Sequence, residues 1–290
     1  MWFLLFLQLT SGLRIMQYNV EFLFLNQHSG CPGSKCDWQN RTIAQIHADK
    51  VSEIIHKHQP DILNLCEVGG EYELQYLNYS TPYFIQNKDT ATGQNVALLS
   101  NLPVTNLYRN ETRINYEGGN LIHTTGVSKH YITEFKYRNY KVGLIGIHLI
   151  AMPTDPVRVA QREAQAIILN GIVENFIQNN YEVMLIGDFN DYDGDILDIN
   201  SHKPTSNVLS ILKSHLFSVM DKVDQKERYT NWYDEEKNCK DNLLDYSMID
   251  HVLMTKHLLD LVSNVSIDHS YLEYCGKLDS DHYPIIINIL

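Results

Sequence analysis

The stretch Val183-Met184-Leu185-Ile186-Gly187-Asp188-Phe189-Asn190 joins an apolar run to a polar end. A short apolar run bounded by polar residues is typical of a strand that is buried on both faces of a sheet. The polar groups at its end would lose their hydration on burial unless a partner or a ligand compensates them. We therefore expect a buried strand over residues 183–189 that carries Asp188 and Asn190 into a polar site.

The same arrangement recurs along the chain, where other apolar runs end or begin at a carboxylate, an amide or an imidazole. In chain order, the residues at these boundaries are Asn19 with Glu21, Glu67, His148, Asp250, and Asp281 with His282. Any one of the Asp or Asn residues alone is explained by a turn, because both are common turn formers. Their joint occurrence predicts convergence on one site, whose oxygen ligands suit a hard cation such as Mg²⁺ or Ca²⁺.

Stretches of helical periodicity lie between the strand-like runs. One predicted helix precedes the second strand, and its inward face carries Ile43, Ile46, His47, Val51, Ile54 and Ile55. Asp155-Pro156 predicts the start of a second helix, because an N-cap residue is followed by Pro at the first helical position. That helix is expected to reach about Asn179, with an inward face of Ala160, Ala164, Ile167, Ile168, Ile172 and Phe176.

The strand-like runs themselves have the lengths and compositions of buried strands. The predicted strands are Leu13–Val20, Asp61–Val68, Asn95–Ser100, Tyr131–Phe135, Lys141–Ile150, Val183–Phe189, Ser247–Met254 and Tyr283–Leu290. Strands with helices between some of them favour sheets covered by helices, an α/β or α+β layered architecture.

The composition is that of a globular enzyme, with 290 residues, 44% hydrophobic residues and 20% charged residues. No linker, charge block or internal repeat divides the sequence, so we predict a single catalytic domain over residues 13–290. The formal net charge of −12 lacks the basic footprint typical of nucleic-acid binding. It does not exclude a nuclease, because bound cations can supply positive charge at the site.

Residues 1–12 resemble a short secretory signal, with the alternative that they form a first strand of the mature protein. Glycosylation sequons begin at Asn40, Asn78, Asn110 and Asn264. Two candidate disulfides of an oxidising compartment are Cys31 with Cys36 and Cys239 with Cys275. Cys66 lies in an apolar run and is predicted to be a buried thiol. We expect a secreted, disulfide-containing glycoprotein, or otherwise a cytoplasmic protein.

The motifs between Tyr18 and Pro284 resemble the successive signatures of the endonuclease/exonuclease/phosphatase superfamily, which includes pancreatic-type deoxyribonucleases and neutral sphingomyelinases. These motifs are YNVEFL, DILNLCEV, GIHL, LIGDFND, MIDHVLM and SDHYP. GDFN and SDHYP are the most specific of them. The resemblance implies an α/β (α+β) four-layer sandwich, in which two central mixed β-sheets pack face to face with helices on the outside. It also implies a metal-dependent hydrolase of phosphoester bonds, with its site at one end of the sheets.

The resemblance further implies a metal site with Mg²⁺ as the cofactor, and with Ca²⁺ or Mn²⁺ as alternatives. Glu67 resembles the principal metal ligand, and Asn19 resembles a ligand or a partner of a ligand. Glu21 occupies a position for a second metal-binding carboxylate, and Asp281 resembles another carboxylate of the metal site.

The catalytic residues implied by the resemblance are His282, Asp250, Asp188, Asn190 and His148. His282 resembles the essential histidine, paired with Asp250, which would fix its tautomer and stabilise its charged form. Asp188 resembles the residue that orients or deprotonates the attacking water, and Asn190 and His148 would donate to the phosphoryl oxygens. The chain departs from the deoxyribonucleases near residues 93–96, where only amides stand in place of a carboxylate that supports the histidine corresponding to His148.

The substrate stays open between several phosphoesters, with a secreted nuclease favoured. Arg158 and Arg162 could contact phosphates, or they could lie on a solvated helix face. A sphingomyelinase-like phospholipid phosphodiesterase would need an exposed apolar hairpin, for which residues 229–233 and 271–274 are candidates. An inositol or nucleotide phosphatase is a further alternative. A non-catalytic binding protein ranks low because the motif residues are all present. No stable protein partner is implied, and we expect a monomer.

Overall fold

The computed structural model describes residues 12–25, 40–88, 92–234, 236, 238–271 and 279–290. The predicted signal segment apart from Gly12 therefore lies outside the described residues, as do Cys31, Cys36 and Cys275. Both disulfide pairings stay predictions for this reason. Cys66 carries a free, buried thiol, as expected. None of the described helices is long and apolar enough to cross a membrane.

The described residues form five α-helices, three short 3-10 helices and sixteen strands. The helices are α1 (Arg41–His58), α2 (Glu71–Tyr76), α3 (Pro156–Gln178), α4 (Val208–Leu212) and α5 (Lys256–Leu261). The strands are β1 (Leu13–Leu23), β2 (Ile62–Val68), β3 (Thr81–Tyr83), β4 (Asn95–Ser100), β5 (Val104–Tyr108), β6 (Ile114–Gly118), β7 (Leu121–Thr125), β8 (His130–Tyr137), β9 (Tyr140–His148), β10 (Glu182–Asp188), β11 (Phe217–Ser218), β12 (Asn231–Trp232), β13 (Tyr246–Ser247), β14 (Asp250–Met254), β15 (Val262–Ile267) and β16 (Ile285–Ile289).

Two six-stranded sheets form the centre of the molecule. Their strand orders are β15-β16-β1-β2-β4-β3 and β11-β14-β10-β9-β8-β5. Both sheets are mixed, because β1 pairs in parallel with β2 and β9 with β10, whereas β16 and β14 are antiparallel to their neighbours. The predicted fold class is confirmed.

Three apolar clusters separate the four layers. The largest lies between the sheets and includes Ile15 and Ile62 of the first sheet with Leu144 and Ile186 of the second. A second cluster covers the outer face of the second sheet with residues of α3 and α4. A third covers the outer face of the first sheet with residues of α1 and α2. The helices are therefore on the outside of the two sheets, as the resemblance implied.

Strand alternation directs the polar strand ends into the space between the sheets. In β1, Ile15 belongs to the inner cluster and Met16 to the outer one, so the period of two places Asn19 on the inner side. In β10, Ile186 is internal, and the next inward position is Asp188. The same parity applies to His148 at the end of β9. The apolar core thus ends in a polar site at one edge of the two sheets.

Two strands depart from regular pairing at this edge. Cys66 pairs with Val96 and Val68 pairs with Asn95, so Glu67 is an extra residue in β2. Its φ of 68° is in the left-handed region, which is uncommon for a side chain larger than that of Gly. Bulges of this kind re-aim side chains and occur often beside active sites. In β1, the register also shifts between Asn19 and Leu23.

The two predicted helices are confirmed, but each prediction placed one residue on the wrong face. Asp155 caps α3 by accepting from the backbone N–H groups of Val157 and Arg158. Ile46 in α1 is 40% exposed and Ile167 in α3 is 54% exposed, although both were predicted to face inward. The buried face of α3 instead includes polar residues, so the apolar pattern alone misplaced the centre of that face.

Candidate active site

Asp250 and His282 form a buried pair at the edge of the inner layer. Asp250 is the first residue of β14, and His282 precedes β16. His282 Nδ1 lies 2.6 Å from Asp250 Oδ2, and Gln17 Nε2 donates to Asp250 Oδ1 over 3.0 Å. Burial alone lowers the pKa of His282, but Asp250, Asp281 and Asp188 together raise it well above its ordinary value. The charged imidazolium is therefore the favoured form at neutral pH.

The side-chain amide of Asn19 connects the predicted catalytic and metal-binding groups. Its Nδ2 lies 3.0 Å from Asp188 Oδ2, 3.4 Å from Glu67 Oε1 and 3.4 Å from His282 Nε2. Burial and the charge of Asp250 raise the pKa of Asp188 to about 7. The backbone N–H of Asn190 donates to the other oxygen of Asp188 over 2.8 Å. Side chains from β1, β2, β10 and the segment before β16 thus meet within hydrogen-bond distance.

His148 lies on the opposite side of this centre from Asp250 and contacts a lysine. His148 Nε2 is 3.6 Å from Asp188 Oδ2 and 3.8 Å from Glu67 Oε1. Lys129 Nζ is 3.1 Å from His148 Nδ1, and it donates to Gln94 Oε1 over 3.1 Å. Burial, Lys129 and His282 lower the pKa of His148 well below its ordinary value. His148 is therefore neutral, with a cation beside it where the deoxyribonucleases have a carboxylate.

Three carboxylates open toward solvent at the centre. Glu67 Oε2 accepts from the backbone N–H of Phe22, and Glu21 Oε2 accepts from that of Asp281. Burial raises the pKa of Glu67, Lys129 opposes that rise, and the charge of Asp281 adds to it. A carboxylate whose charged form is disfavoured by its surroundings becomes stable when a cation binds. Glu67, Glu21 and Asp281, with the amide of Asn19, offer the oxygen ligands that a hard divalent cation prefers, although the ligand atoms that all lie within 4.8 Å of one another belong, among the described residues, to a different group.

Another group of side chains is the one that, among the described residues, could hold a metal by distance alone. Asp188, Asp250 and His282 offer ligand atoms that all lie within 4.8 Å of one another. Both oxygens of Asp250, however, already accept hydrogen bonds from Gln17 and His282. The side chain of Asp250 is 1% exposed, whereas that of Asp281 is 32% exposed. Mg²⁺ usually keeps several of its water ligands, so the open carboxylates around Glu67 fit it better.

The side chain of Asn190 hydrogen-bonds to the backbone that follows β9. Its backbone φ is 51°, and its Nδ2 donates to the carbonyl of Leu149 over 3.1 Å. Contact with a phosphoryl oxygen stays a prediction for Asn190, as it does for His148. All nine predicted site residues nevertheless lie in one region, at the edge where the inner layer of the sandwich ends.

Several residues of the site were not predicted from the sequence. Lys129 immediately precedes β8, and a lone lysine before an apolar strand gives no distinctive pattern. Gln17 and Asn64 interrupt otherwise apolar strands, and Asn64 Nδ2 donates to Gln17 Oε1 behind Asp250. Buried amides inside strands cost desolvation unless they have partners. That cost is a signal that could have identified both amides as supports of the site.

The two arginines named as possible phosphate contacts differ in the structure. Arg162 is fully buried and donates to Ile150 O and Thr205 Oγ1, both over 3.0 Å. Neither predicted environment therefore applies to Arg162, which supports the loops that follow β9 and β10. Arg158 is half-buried and lines a cavity of about 790 Å³ that reaches Glu67 and His148. Arg158 is the one of the two that can meet a substrate.

The aromatic stretch at residues 228–233 is mostly a packing element. Trp232 is 7% exposed and packs in a cluster with Tyr246 and Tyr283. Asn231, beside it, pairs with His282 in a β-bridge and donates to the carbonyl of Asp281. This stretch therefore supports the backbone that carries His282.

Comparison with known proteins agrees with this geometry. Residues 16–282 match the profile of the Endonuclease/Exonuclease/phosphatase family. The comparison with curated proteins gives no significant match. A truncated TDP2 of Caenorhabditis elegans is similar in structure, with a TM-score of 0.61 and 19% identity over 96% of this chain and 97% of that one. The 3′-5′ exonuclease NExo of Neisseria meningitidis has a TM-score of 0.64 and 15% identity over 96% and 99%.

An AP endonuclease of Archaeoglobus fulgidus is similar to the same degree, with a TM-score of 0.62 and 15% identity over 96% of this chain and 99% of that one. At these identities, the structural similarities establish the fold. The family match covers most of the chain, from β1 to the histidine before β16. The chain therefore belongs to the endonuclease/exonuclease/phosphatase family, whose members are metal-dependent hydrolases of phosphoester bonds.

Proposed function

We propose that this protein is a divalent-metal-dependent phosphodiesterase that cleaves nucleic acid by in-line attack of water. The observation that carries the proposal is the buried Asp250–His282 pair, whose Nε2 side faces Asp188, Asn19 and Glu67 in one centre. That set provides a charged donor, a candidate base and a cation site around a single space. In-line hydrolysis of a phosphodiester requires these three functions together.

The proposed cation is Mg²⁺, with Ca²⁺ or Mn²⁺ as alternatives. It would be held by Glu67, Glu21, Asp281 and Asn19. A bound divalent cation supplies positive charge to the phosphoryl oxygens and to the leaving oxygen. Asp188 orients the attacking water and accepts its proton, since its carboxylate is itself oriented by Asn19 and by the N–H of Asn190. His282 donates from Nε2 to the reacting phosphate, and Asp250 keeps that imidazole charged and oriented.

Nucleic acid is the favoured substrate because several similar structures are of proteins that act on it. One is the structure of the 3′ phosphatase NExo from Neisseria bound to a product DNA hairpin. This similarity supports the same substrate class for this chain by analogy of fold alone. We propose a monomeric enzyme without a stable protein partner.

A phospholipid phosphodiesterase is the second candidate, and one observation favours it. The β6–β7 hairpin carries Leu121 and Ile122 beside its turn, 67% and 73% exposed. Exposed aliphatic residues at a hairpin end are the feature expected of a lipid-binding enzyme. This hairpin differs from the segments predicted for that role. In residues 229–233, Trp232 is buried and Tyr233 is 65% exposed, and residues 272–274 lie outside the described residues.

The test is hydrolysis of plasmid DNA, RNA and sphingomyelin by the purified mature chain, each with Mg²⁺, with Ca²⁺ and with a chelator. The His282→Ala variant is the blank. We expect metal-dependent cleavage of nucleic acid that the variant lacks. Release of phosphocholine without nucleic-acid cleavage would favour the lipid candidate. Equal cleavage by wild type and the variant would contradict the assignment of His282.

We also propose that the protein is secreted and glycosylated. The support is the apolar segment within residues 1–12 and the exposed positions of Asn40, Asn78 and Asn264 in their sequons. Expression in a eukaryotic cell should yield glycosylated protein in the medium. Intact mass before and after enzymatic deglycosylation, together with N-terminal sequencing, tests both points. Unglycosylated protein retained in the cytosol would contradict the proposal.

A further inference from the structure

Two amide side chains are buried side by side in the middle of the first sheet. Gln17 of β1 and Asn64 of β2 are opposite each other in the parallel ladder, and both are fully buried. A buried amide costs free energy of folding unless its donors and its acceptor have partners. An apolar residue would avoid that cost at either position. The two amides therefore need an explanation other than stability.

The charge of Asp250 determines how the amide of Gln17 is oriented. An ionised carboxylate accepts hydrogen bonds but cannot donate them. Gln17 therefore presents its NH₂ group to Asp250, and Nε2 donates to Oδ1 over 3.0 Å. The oxygen of the same amide then requires a donor, which Asn64 Nδ2 supplies. Since His282 Nδ1 lies 2.6 Å from the other oxygen of Asp250, both ends of that carboxylate are held.

The thiol of Cys66 accepts the remaining N–H groups of the two amides. Its Sγ lies 3.7 Å from Gln17 Nε2 and 3.8 Å from Asn64 Nδ2. The thiol itself donates to the carbonyl of Ile147 over 3.3 Å, on the strand that ends in His148. Turning either amide over would bring two acceptors together. The hydrogen bonds therefore allow each amide only one of its two orientations.

A glycine in the second sheet leaves the space that the side chain of Asn64 enters. Gly146 of β9 is opposite Tyr131 of β8 in the ladder. A Cβ at Gly146 would lie 2.4 Å from Asn64 Oδ1 and 2.2 Å from a ring carbon of Tyr131. Both side chains are therefore packed against the backbone of Gly146. This packing restricts the position of Asn64, while the hydrogen bonds restrict its orientation.

We propose that Asn64 is a positioning residue for the reaction at the catalytic centre. It fixes the amide of Gln17, and Gln17 in turn holds the carboxylate of Asp250, which orients the imidazole of His282. This inference rests on the proposed phosphodiesterase function, and it gives a role in that reaction to a residue that is too deeply buried to touch the substrate. A small displacement of a catalytic group lowers the rate strongly even where substrate binding is unchanged.

The first experiment measures kcat and KM of Asn64→Leu with whichever of DNA, RNA and sphingomyelin the wild type cleaves. Leu has a similar volume, but it cannot donate to Gln17, whose amide is then free to turn over. We expect kcat to fall about tenfold or more while KM changes less than about twofold, because the orientation of His282 changes and substrate binding does not. Asn64→Ala gives the same comparison if Leu prevents folding.

Thr133→Val is the matched control for the loss of a buried hydrogen bond. Thr133 is fully buried in β8, and its hydroxyl donates to the carbonyl of Thr105 in the edge strand β5 over 2.7 Å. Val has nearly the same shape, so this variant loses a hydrogen bond away from Asp250. We expect a lower melting temperature, as in Asn64→Leu, but the wild-type kcat. An equal fall of kcat in both variants would show a general effect of stability and overturn the inference.

A double-mutant cycle tests whether Asn64 acts through Asp250. In an Asp250→Ala background, the carboxylate that Gln17 holds is absent. Adding Asn64→Leu to that background should therefore lower the single-turnover rate by less than about a further twofold. A further loss as large as that in the wild-type background would mean that Asn64 acts by another route, and the proposed role would be wrong.

Proton NMR tests the inference without any substrate. The short hydrogen bond between His282 Nδ1 and Asp250 Oδ2 should give a resonance far downfield, which His282→Ala lacks. We expect Asn64→Leu to move this resonance upfield or to broaden it, and Thr133→Val to leave it unchanged. A resonance that is unchanged in Asn64→Leu, or absent from the wild type, would contradict the proposed positioning.

The two kinds of readout separate this inference from the proposed function. Metal-dependent cleavage with an unchanged kcat in Asn64→Leu would refute the positioning role and leave the phosphodiesterase function standing. If the wild type cleaves no substrate but the resonance changes as expected, the proposed function is refuted, and the support of the Asp250–His282 pair by Asn64 stands.

Discussion

Lys129 is a buried cation whose position is explained better by catalysis than by stability. It is 8% exposed, and its nearest partners are the neutral groups of Gln94 and His148. Burial lowers the pKa of Lys129, and the charges of Glu67 and Asp188 oppose that effect. Burying a charge without a directly paired opposite charge costs free energy of folding. A charge held at such a cost beside the centre is suited to a phosphoryl group that becomes more negative as it reacts.

We predict that Lys129→Met lowers kcat about tenfold or more while the melting temperature stays the same or rises. Met fills a similar volume to Lys but carries no charge, so the variant avoids the free-energy cost of desolvating a buried charge. It also lacks the positive charge that would stabilise the reacting phosphoryl group. Gln94 Oε1 keeps a donor in the variant, because Thr92 Oγ1 also donates to it over 2.9 Å. Thermal unfolding and steady-state kinetics on the same sample check the prediction. A large loss of stability with unchanged kcat would show a structural role.

At the scale of elements, the pairing of β9 with β10 brings His148 next to Asp188. The two residues are opposite each other in the parallel ladder. Gly187, immediately before Asp188, has a φ of 154°, and a Cβ there would lie 1.9 Å from the carbonyl oxygen of Ile147. No side chain can be added at Gly187 without moving one strand away from the other. This glycine therefore determines how closely the two catalytic strand ends approach.

We predict that Gly187→Ala lowers the free energy of unfolding by about 2 kcal/mol or more, because overpacking between paired strands forces the backbone to move. Gly171→Ala is the matched control. Gly171 lies inside α3 with open space around the added methyl group, so Ala should stabilise by about 0.5–1 kcal/mol. Urea unfolding of both variants gives the two values. Equal effects in the two variants would contradict this account of Gly187.

The residues after β15 are attached to the end of α1 by a cluster of charges. Asp268 Oδ2 accepts from Lys57 Nζ over 2.8 Å and from His58 Nε2 over 2.6 Å. Tyr271, three residues on, donates to the carbonyl of His282 over 2.8 Å. Burial alone raises the pKa of Asp268, but the hydrogen bonds from His58, Lys57 and Ser270 lower it well below 3.8. The cluster thus positions a contact of the catalytic histidine.

We predict that Asp268→Asn destabilises the protein by about 1–2 kcal/mol at pH 7. Because the folded-state pKa is depressed, the ionised carboxylate stabilises the fold at pH values above the ordinary 3.8. That contribution is lost as the pH falls through the folded-state pKa, so the difference between variant and wild type should narrow below about pH 4. Urea unfolding between pH 7 and pH 3 measures it. A difference that does not depend on pH would contradict the assigned role.

Asp260→Asn is the matched control for this series. Asp260 pairs with Lys256 one helical turn away, and its side chain is 57% exposed. Exposed pairs of this kind contribute about 0–1 kcal/mol. The control should therefore change stability less than Asp268→Asn does at pH 7.

At the scale of the whole molecule, an acidic protein must tolerate several carboxylates in one place. The net charge is −12, and at the edge of the inner layer Asp281 and Asp188 are both close enough to Glu67 for their charges to repel. Repulsion among them destabilises the folded state when no cation is bound. A cation that binds the folded state alone stabilises it by mass action.

We predict that Mg²⁺ at about ten times its Kd raises the melting temperature by about 2–4 °C, and that a chelator reverses the rise. Glu67→Gln should abolish this shift, whereas Asp250→Asn should keep it. Differential scanning fluorimetry in a Mg²⁺ titration measures all three proteins without reference to activity. If Asp250→Asn lost the Mg²⁺-dependent rise in melting temperature and Glu67→Gln kept it, the cation site would instead consist of Asp188, Asp250 and His282.

The strand ends were predictable because one rule governs each of them. In an apolar strand, every second side chain points into the inner layer. A polar residue at the strand end that falls on the same alternation therefore points into the site. Asn19, His148 and Asp188 follow this rule. The corresponding rule for helices is less precise. Helix periodicity identifies a broad apolar face but not which border of that face meets the sheet, and for this reason Ile46 and Ile167 were predicted on the wrong side.

The sequence by itself determined the fold class, the strands that end in polar groups and the identity of those groups, because each depends on local alternation of apolar and polar residues. Only the tertiary structure decided which groups touch. Three features depend on register and strand order between residues far apart in sequence. They are the bulge that re-aims Glu67, the approach of Lys129 to His148 and the burial of Arg162. Local patterns carry no information about such pairings, since a shift of one residue would exchange every inward side chain for its outward neighbour.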